Sequence, residues 1–534
     1  MTTIDNDSQR TAHPGWALVV ICIAQMMVVL DSTIANIALP FIQNDLDISQ
    51  ANLQWIVTGY ALVFGGFLLL GGRLGDQIGR RRTFMIGLTL FAVASALGGL
   101  AQSEAMLLGS RGLQGLGAAL ASPAALALIT TTFPPGPLRN RAFSVFAAIA
   151  GVGAAIGLVL GGWLTGIEVG SIEGWRLTFL INVPIGLVAA WAAPRLLAES
   201  TPRSVPLDVP GAVVGTAGLV SLVYGLARAG EEAHGWGDTG TILALALGVS
   251  LLIAFIGIER TVKYPLLPLG LFSEQSRAVA FVAMMITPAA MFAMFFFLSQ
   301  LVQNVIGWSP LHTGLAFLPF AFGMVAGATA SSRLINRIDP RFIAGTGTII
   351  AGAALFIYSR VSVNSSPARI IEAATGGRSL GDDITYWTQI GPWVIMMAFG
   401  MGLTFVTMTL VAVHGIPSED SGIGSGVLTT MQQVGGALGL ATLSTVALHF
   451  ANSKADSIIA SLQSAGGAAP SADAQEAVEQ VVGQAAFTNG ATQAFFVGAF
   501  MIWAASAIVW ILLNVKHTDL HGDDEAELEP VVVH

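Results

Sequence analysis

The chain of 534 residues is 54% hydrophobic and 10% charged, with a formal net charge of −9, whereas an ordinary soluble domain carries roughly 25% charged residues. Its apolar residues arrive in long blocks rather than in alternation, which excludes a soluble fold. The 62 glycines suit helices that pack in lipid through small residues, and the single Cys22 excludes an intramolecular disulfide and reads as a small core residue. Much of the net charge sits between Asp519 and Glu529, so it gives no sign of a nucleic-acid partner.

A bilayer core of ~30 Å takes about 20 apolar residues per helix, and fourteen such spans are predicted. They lie near 16 to 39, 52 to 71, 83 to 101, 105 to 130, 142 to 166, 178 to 197, 208 to 228, 240 to 259, 279 to 303, 311 to 331, 341 to 360, 391 to 413, 422 to 448 and 491 to 514. The first, Trp16 to Leu39, is too long for a signal-peptide core and lacks the small-residue cleavage pattern. It carries Asp31 and the polar Asn36. An ionisable group deep in a span is costly and therefore a functional candidate: Asp31 reads as a proton or substrate carboxylate, or as the structural partner of a polar group near the outer end. The second span contributes Trp55 and Tyr60 as substrate-lining candidates. It runs into the loop Gly71-Gly72-Arg73-Leu74-Gly75-Asp76-Gln77-Ile78-Gly79-Arg80-Arg81, in which glycines permit a sharp turn and close helix approach. Here Asp76 suits a neighbouring helix N-terminus, and the arginines suit carboxylates or lipid phosphates.

The fourth span holds Arg111 and Gln114, one turn apart. Arginine does not release its proton at any relevant pH, so Arg111 acts by biasing a neighbouring carboxylate or by a plain interhelical hydrogen bond. In the fifth span Gly153, Gly157, Gly161 and Gly162 form a smooth face for packing against the other half. The ninth brings Met284, Met285, Met291, Met294, Phe295, Phe296, Phe297 and Gln300, an adaptable lining for greasy molecules or ordinary lipid-facing and packing residues. Gln432 in the thirteenth span is a further polar candidate. Two long connections, Ser362 to Ile390 and Asn452 to Asn489, fall outside. They read as solvated connectors or as a gate or lid, with a surface helix over Asp473 to Phe487 in the second.

With the N-terminus inside, most of the 23 Lys and Arg fall in inner loops, among them Arg82, Arg139, Arg141, Arg333 and Arg337, which assigns both termini to the cytoplasm. The loop after the second span recurs in degenerate form after the tenth, Ser331-Ser332-Arg333-Leu334-Ile335-Asn336-Arg337-Ile338-Asp339-Pro340-Arg341. The expected organisation is a cytoplasmic N-terminus (1 to 15), a six-helix half (16 to 197), two inserted helices (208 to 259), a second six-helix half (279 to 514) with external loops 362 to 390 and 452 to 489, and an acidic cytoplasmic tail (515 to 534). Paired halves of this kind rock about a midplane site in many transporters.

The loop Gly71 to Arg82 resembles the signature of the major facilitator superfamily. The runs Leu30-Asp31-Ser32-Thr33-Ile34-Ala35-Asn36-Ile37-Ala38-Leu39-Pro40 and Trp175-Arg176-Leu177-Thr178-Phe179-Leu180-Ile181-Asn182-Val183-Pro184-Ile185-Gly186 resemble its fourteen-span drug:proton antiporter family, as does Met431-Gln432-Gln433-Val434-Gly435-Gly436-Ala437-Leu438-Gly439. The resemblance implies an all-α polytopic membrane protein with the major facilitator fold, fourteen transmembrane helices arranged six plus two plus six, and pseudo-two-fold halves. It further implies a conformational latch at Gly72, Asp76, Gly79, Arg80 and Arg81, with the start of the thirteenth span, Asp420 to Gly426, as partner of Asp76. Proton coupling is implied for Arg111, in the match Arg111-Gly112-Leu113-Gln114-Gly115-Leu116-Gly117, and an antiporter motif for the fifth span. In that motif Leu158 stands where the family has proline, so the proline kink is lost. This departure, with Ala121-Ser122-Pro123 and Thr131-Thr132-Phe133-Pro134, resembles EfpA-like exporters, for which drug and lipid cargo are both implied.

No GxxxxGK[ST] phosphate loop and no metal or nucleophile constellation occurs. An ion gradient or the substrate's own gradient must then supply the energy, with no cofactor and no enzymatic chemistry. The leading expectation is a monomeric, plasma-membrane, proton-coupled exporter of small amphipathic drugs or natural products, working among membrane lipids. A lipid or lipid-like metabolite translocator is the first alternative and a non-transporting receptor or assembly protein the second.

Overall fold

The computed structural model describes residues 14–519, apart from 135, 171, 203–205, 232, 377, 417–420 and 465–471. The N-terminal stretch to residue 13, Asp420 and the acidic tail from residue 520 lie outside the described residues. The described chain is helical, with no β-strand among these residues beyond one isolated bridge. In chain order the long helices are α1 (Pro14–Leu46), α2 (Gln50–Ile78), α3 (Arg80–Gly99), α4 (Glu104–Thr132), α5 (Pro137–Thr165), α6 (Gly174–Leu196), α7 (Val209–Gly230), α8 (Thr239–Thr261), α9 (Gln275–Val305), α10 (Pro310–Leu334), α11 (Pro340–Tyr358), α12 (Tyr386–Val413), α13 (Ser421–Ser464) and α14 (Ala472–Leu512). Each coincides with a predicted span. Thirteen are long and apolar enough to cross a membrane, and α5, whose apolar portion is Gly153–Thr165, occupies the remaining position.

The helix starts follow from local chemistry. Ser103, Asp238, Glu274 and Ser309 cap α4, α8, α9 and α10 by accepting backbone N–H groups of the first turn, while Pro137, Pro310 and Pro340 occupy first-turn positions that need no N–H donor. Five helices are interrupted without ending: α2 at Gln54, α6 at Ile181, α10 at Phe317, α12 at Ile390, and α9 by a closing π-turn over Leu301–Val305.

The chain divides into two compact units. One comprises Met1–Gly225, Asp238–Leu267 and Trp308–Leu318; the other comprises Leu226–Gly237, Pro268–Gly307 and Pro319–His534. In the first unit α4 is the central helix, and its small residues let neighbours close in. A Cβ on Gly71 of α2 would overlap the Ala119 carbonyl, and one on Gly117 of α4 would come within 2.7 Å of the Phe91 nitrogen in α3. The inserted helix α7 packs on α2, where Gly66 accommodates Thr216. The glycine face of α5 was expected against the other half. Gly153, Gly157 and Gly161 lie against α1, facing Val29, Leu30 and Ile34, because their spacing of four puts all three on the stripe that one neighbouring helix covers, while Gly162 meets α10, a helix of the expected second half. Gly162 sits on Pro310 and Leu311, in the α10 segment that folds with this unit.

In the second unit the expected solvated connectors are replaced by folded structure. Helix α13 continues for 44 residues and α14 for 41, so most of the connection 452 to 489 is the continuation of the two membrane helices, and the predicted surface helix is part of α14. The connection 362 to 390 supplies a short helix, Pro367–Gly376, and a 3-10 turn, Leu380–Asp383. Ile370, Ala373 and Leu380 pack on Ile458 of α13 and on Val481, Val482 and Ala485 of α14. These segments form a cap with its own apolar core. Gln484 ties the cap to the end of α9 by donating to the Asn304 carbonyl at 2.9 Å and accepting from Ser379 and from the Leu380 amide.

Candidate functional site

Arg111 and Gln114, three residues apart, share one face of α4, and both are enclosed, at 1% and 0% exposure. Helix α2 comes close because Gly115 has no side chain: a Cβ there would reach 2.6 Å from the Tyr60 carbonyl oxygen. From α1, Asp31 enters the same space at 2% exposure. The guanidinium donates from Nη1 to Asp31 Oδ2 at 2.5 Å and to Gln114 Oε1 at 2.8 Å, and from Nε to the Ile56 carbonyl at 2.7 Å. Gln114 Nε2 donates to Asp31 Oδ1 at 2.9 Å and to Ser95 Oγ at 2.7 Å. Asn182 Nδ2 completes the set, donating to Asp31 Oδ1 at 3.0 Å. The guanidinium also lies 4.5 Å from the Tyr60 ring centroid and 5.8 Å from that of Phe179, adding cation–π attraction where water is excluded.

Five helices thus contribute to one enclosed cluster, in which α4 and α6 donate directly to the Asp31 carboxylate of α1. Sequence reasoning singled out Asp31, Arg111, Gln114 and Tyr60, and the structure brings these four together. Asn182 and Ser95 were missed. Asn182 stands in the quoted run Trp175 to Gly186 at the break of α6, directly after Ile181, and that interruption was its only local signal. The same run anchors its other end through Asp45, whose Oδ2 accepts from Trp175 Nε1 at 3.1 Å and from Arg176 Nη2 at 2.7 Å.

The remaining lining candidates are placed separately. In the first unit Trp55 is half-buried, and Asn36 Nδ2 donates to Ser32 of its own helix at 3.0 Å. In the second unit Met294 and Gln300 are fully buried, with Gln300 Nε2 donating to the Phe296 carbonyl at 3.1 Å. Met291, Phe295 and Gln432 are half-buried, and the Phe295 ring meets that of Phe320 edge-on at 4.9 Å. Leu158 is 2% exposed, with its carbonyl against Gly314.

At the loop joining α2 and α3, Asp76 was expected at a helix N-terminus. It instead holds Arg80 one turn away, at 3.1 Å, and Arg80 Nη1 also donates to the Ala127 carbonyl and Thr130 Oγ1 of α4. The α3 N-terminus is taken by residues after α6: Glu199 Oε1 accepts from the Arg81 amide at 3.0 Å, and Ser200 Oγ accepts from the Arg80 amide at 2.9 Å. Gly79, at φ 107°, is required twice, since a Cβ there would also come 2.5 Å from the Glu199 carboxylate. A Cβ on Gly72 would make ordinary contact with Pro123 at 3.8 Å. Glu199→Ala, which removes a cap and a partner of Arg81 and Arg82, is expected to cost about 1 kcal/mol, read as a lowered melting temperature in detergent. The second loop is tied in the same manner with reversed polarity. Asp339 accepts from the His517 imidazole at 2.8 Å and the His517 amide at 3.0 Å, and these bonds hold its carboxyl below the usual range.

Two halves of membrane-spanning helices carrying a degenerate loop repeat, with a carboxylate–guanidinium pair enclosed in one of them, define a membrane transporter of the facilitator class. The model of the Major Facilitator Superfamily matches residues 21–440, and the chain belongs to that family. It is 39% identical to the puromycin resistance protein pur8 of Streptomyces alboniger over 81% of each chain. It is 37% identical to the MFS-type transporter EfpA of Mycobacterium tuberculosis, over 81% of this chain and 78% of that one. Among solved structures, an inward-facing, unoccupied bacterial homologue of the human lysosomal transporter Spinster superposes with a TM-score of 0.66 at 16% identity, covering 95% of this chain and 98% of that one, a likeness of fold.

Proposed function

We propose that the protein is a secondary active exporter that moves small amphipathic drugs or natural products out of the cell in exchange for protons. The observation that carries this reading is the convergence of Arg111, Gln114 and Asn182 on Asp31, with every member enclosed. Three donors suit a carboxylate and oppose a carboxylic acid, which must itself donate. A proton arriving on Asp31 therefore weakens the set: it cancels the charge that holds Arg111 and turns one oxygen into a donor that needs an acceptor of its own. The Asn182 Oδ1 and the Tyr60 hydroxyl, both enclosed without a hydrogen-bond partner, offer acceptors for the new O–H. Arg111 stays charged throughout and is freed to find another partner, which couples protonation to helix movement. Substrate binding and Asp31 protonation then oppose each other.

The relatives named for antibiotic resistance support drug-like cargo. In this reading the chain works as a monomer in the plasma membrane with both termini cytoplasmic. Trp55 and Asn36 in the first unit, and Met291, Met294, Phe295, Gln300 and Gln432 in the second, are each assigned to substrate contact, and the loops around Asp76 and Asp339 hold the resting conformation. Purified protein in proteoliposomes should accumulate puromycin against an imposed pH gradient, and Asp31→Asn should abolish the gradient dependence. Equal transport by both proteins with and without the gradient overturns the reading.

A further inference from the structure

A second group of enclosed charges lies at the inserted helices, away from Asp31. Asp208, immediately before α7, and Glu259, in the last turn of α8, are each 3% exposed. One oxygen of each is satisfied: Asp208 Oδ1 accepts from the Gly211 amide at 2.9 Å, and Glu259 Oε2 accepts from the Leu267 amide at 2.9 Å. The other oxygen of each, Asp208 Oδ2 and Glu259 Oε1, is enclosed and receives no hydrogen bond. The two carboxylates interact electrostatically with one another and with Arg73 of the α2 loop. Arg73, however, donates its Nη1 and Nη2 to the carbonyls of Tyr264 and Pro265.

The elements packed here are α2, α7, α8 and the segment 262–267. Their other nearby cations, Arg260 and Lys263, are exposed, with Lys263 over the Tyr264 ring, and Asp76 is paired with Arg80. Among the described residues, two carboxylates face one guanidinium, which leaves one negative charge in excess in a place where an uncompensated charge is costly. Each carboxylate thus keeps one enclosed oxygen without a donor, and the two groups feel each other's charge. A metal ion needs a larger set of ligands, and among the described residues no three His, Cys, Asp or Glu are grouped to hold one. A single proton removes the excess charge and converts one carboxylate into a donor.

We propose that Asp208 and Glu259 bind one proton as a pair, with Arg73 balancing the remaining charge, forming a second proton site that belongs to the two inserted helices. It stands independently of the role assigned to Asp31. Because Arg73 also holds the chain after α8, loss of this proton strengthens its pull toward the carboxylates and loosens the 264–265 carbonyls, so the site links the inserted helices to the α2 loop.

The test is infrared spectroscopy of the full-length protein in detergent at neutral pH, observing the carbonyl stretch of protonated carboxyl groups. The wild type should show such a band, Asp31→Asn should retain it, and it should be lost in Asp208→Asn or in Glu259→Gln, either of which suffices if the other fails to fold. Absence of the band from the wild type overturns the proposal, as does its survival in the folded variants or its loss in Asp31→Asn. A sodium-dependent rise in melting temperature in place of the band assigns a bound cation and equally overturns it.

Discussion

Arg111→Met is expected to cost about 3–5 kcal/mol of stability, the range for removing one partner of a buried ion pair, and to leave no gradient-driven transport. The variant strands Asp31, at 2% exposure, with the amides of Gln114 and Asn182 as its only donors, and it also frees the Ile56 carbonyl and Gln114 Oε1. Adding Asp31→Asn should restore most of the lost stability, because a neutral amide beside methionine leaves no charge in the core, yet transport should remain uncoupled. Unfolding of the two single variants and the double variant in detergent closes the cycle. A single variant as stable as the double one would show that the pair acts through packing alone.

Gly435→Ala should be the most damaging of the glycine substitutions in α13, at about 1–3 kcal/mol. The new methyl overlaps the backbone carbonyl of Met285 and lies 2.7 Å from its Cα, so the α9–α13 crossing must widen. Gly157→Ala in α5 meets a different obstacle, the Thr33 hydroxyl, which is bonded to Val29 and Leu30 of its own helix and can rotate. Its cost should be a fraction of that at Gly435. Gly257→Ala has nothing within 4 Å and should gain up to about 1 kcal/mol from helix propensity. Melting temperatures of the three variants give the order, and an equal loss at all three would mean that steric contact does not govern it.

The helices themselves were legible because a membrane imposes one length and one polarity on every crossing, as α8, Thr239–Thr261, illustrates. Asp31 and Arg111 were legible for the same reason, being charges where charges are expensive. Their pairing was not, since no spacing rule relates residues 31, 111 and 182 in different helices. Glu199 was invisible as the cap of α3 because it follows α6, far along the chain. The cap of the second unit was misread for another physical reason. Between His449 and Ser464 there is no glycine or proline to stop α13, but hydropathy falls when the helix leaves lipid, and a scale built on lipid reads that fall as an end of structure.

Helix α13 therefore runs without a proline through its 44 residues, a rod of about 66 Å at 1.5 Å per residue, whose C-terminal end is embedded in the cap. Such a rod acts as a pointer. A tilt of 5° about its N-terminal end sweeps the far tip through roughly 6 Å by the same helical rise, a displacement that a pair of spectroscopic labels resolves. A label at exposed Ile459, next to the cap residue Ile458, would report on movements that begin at the other end of the helix.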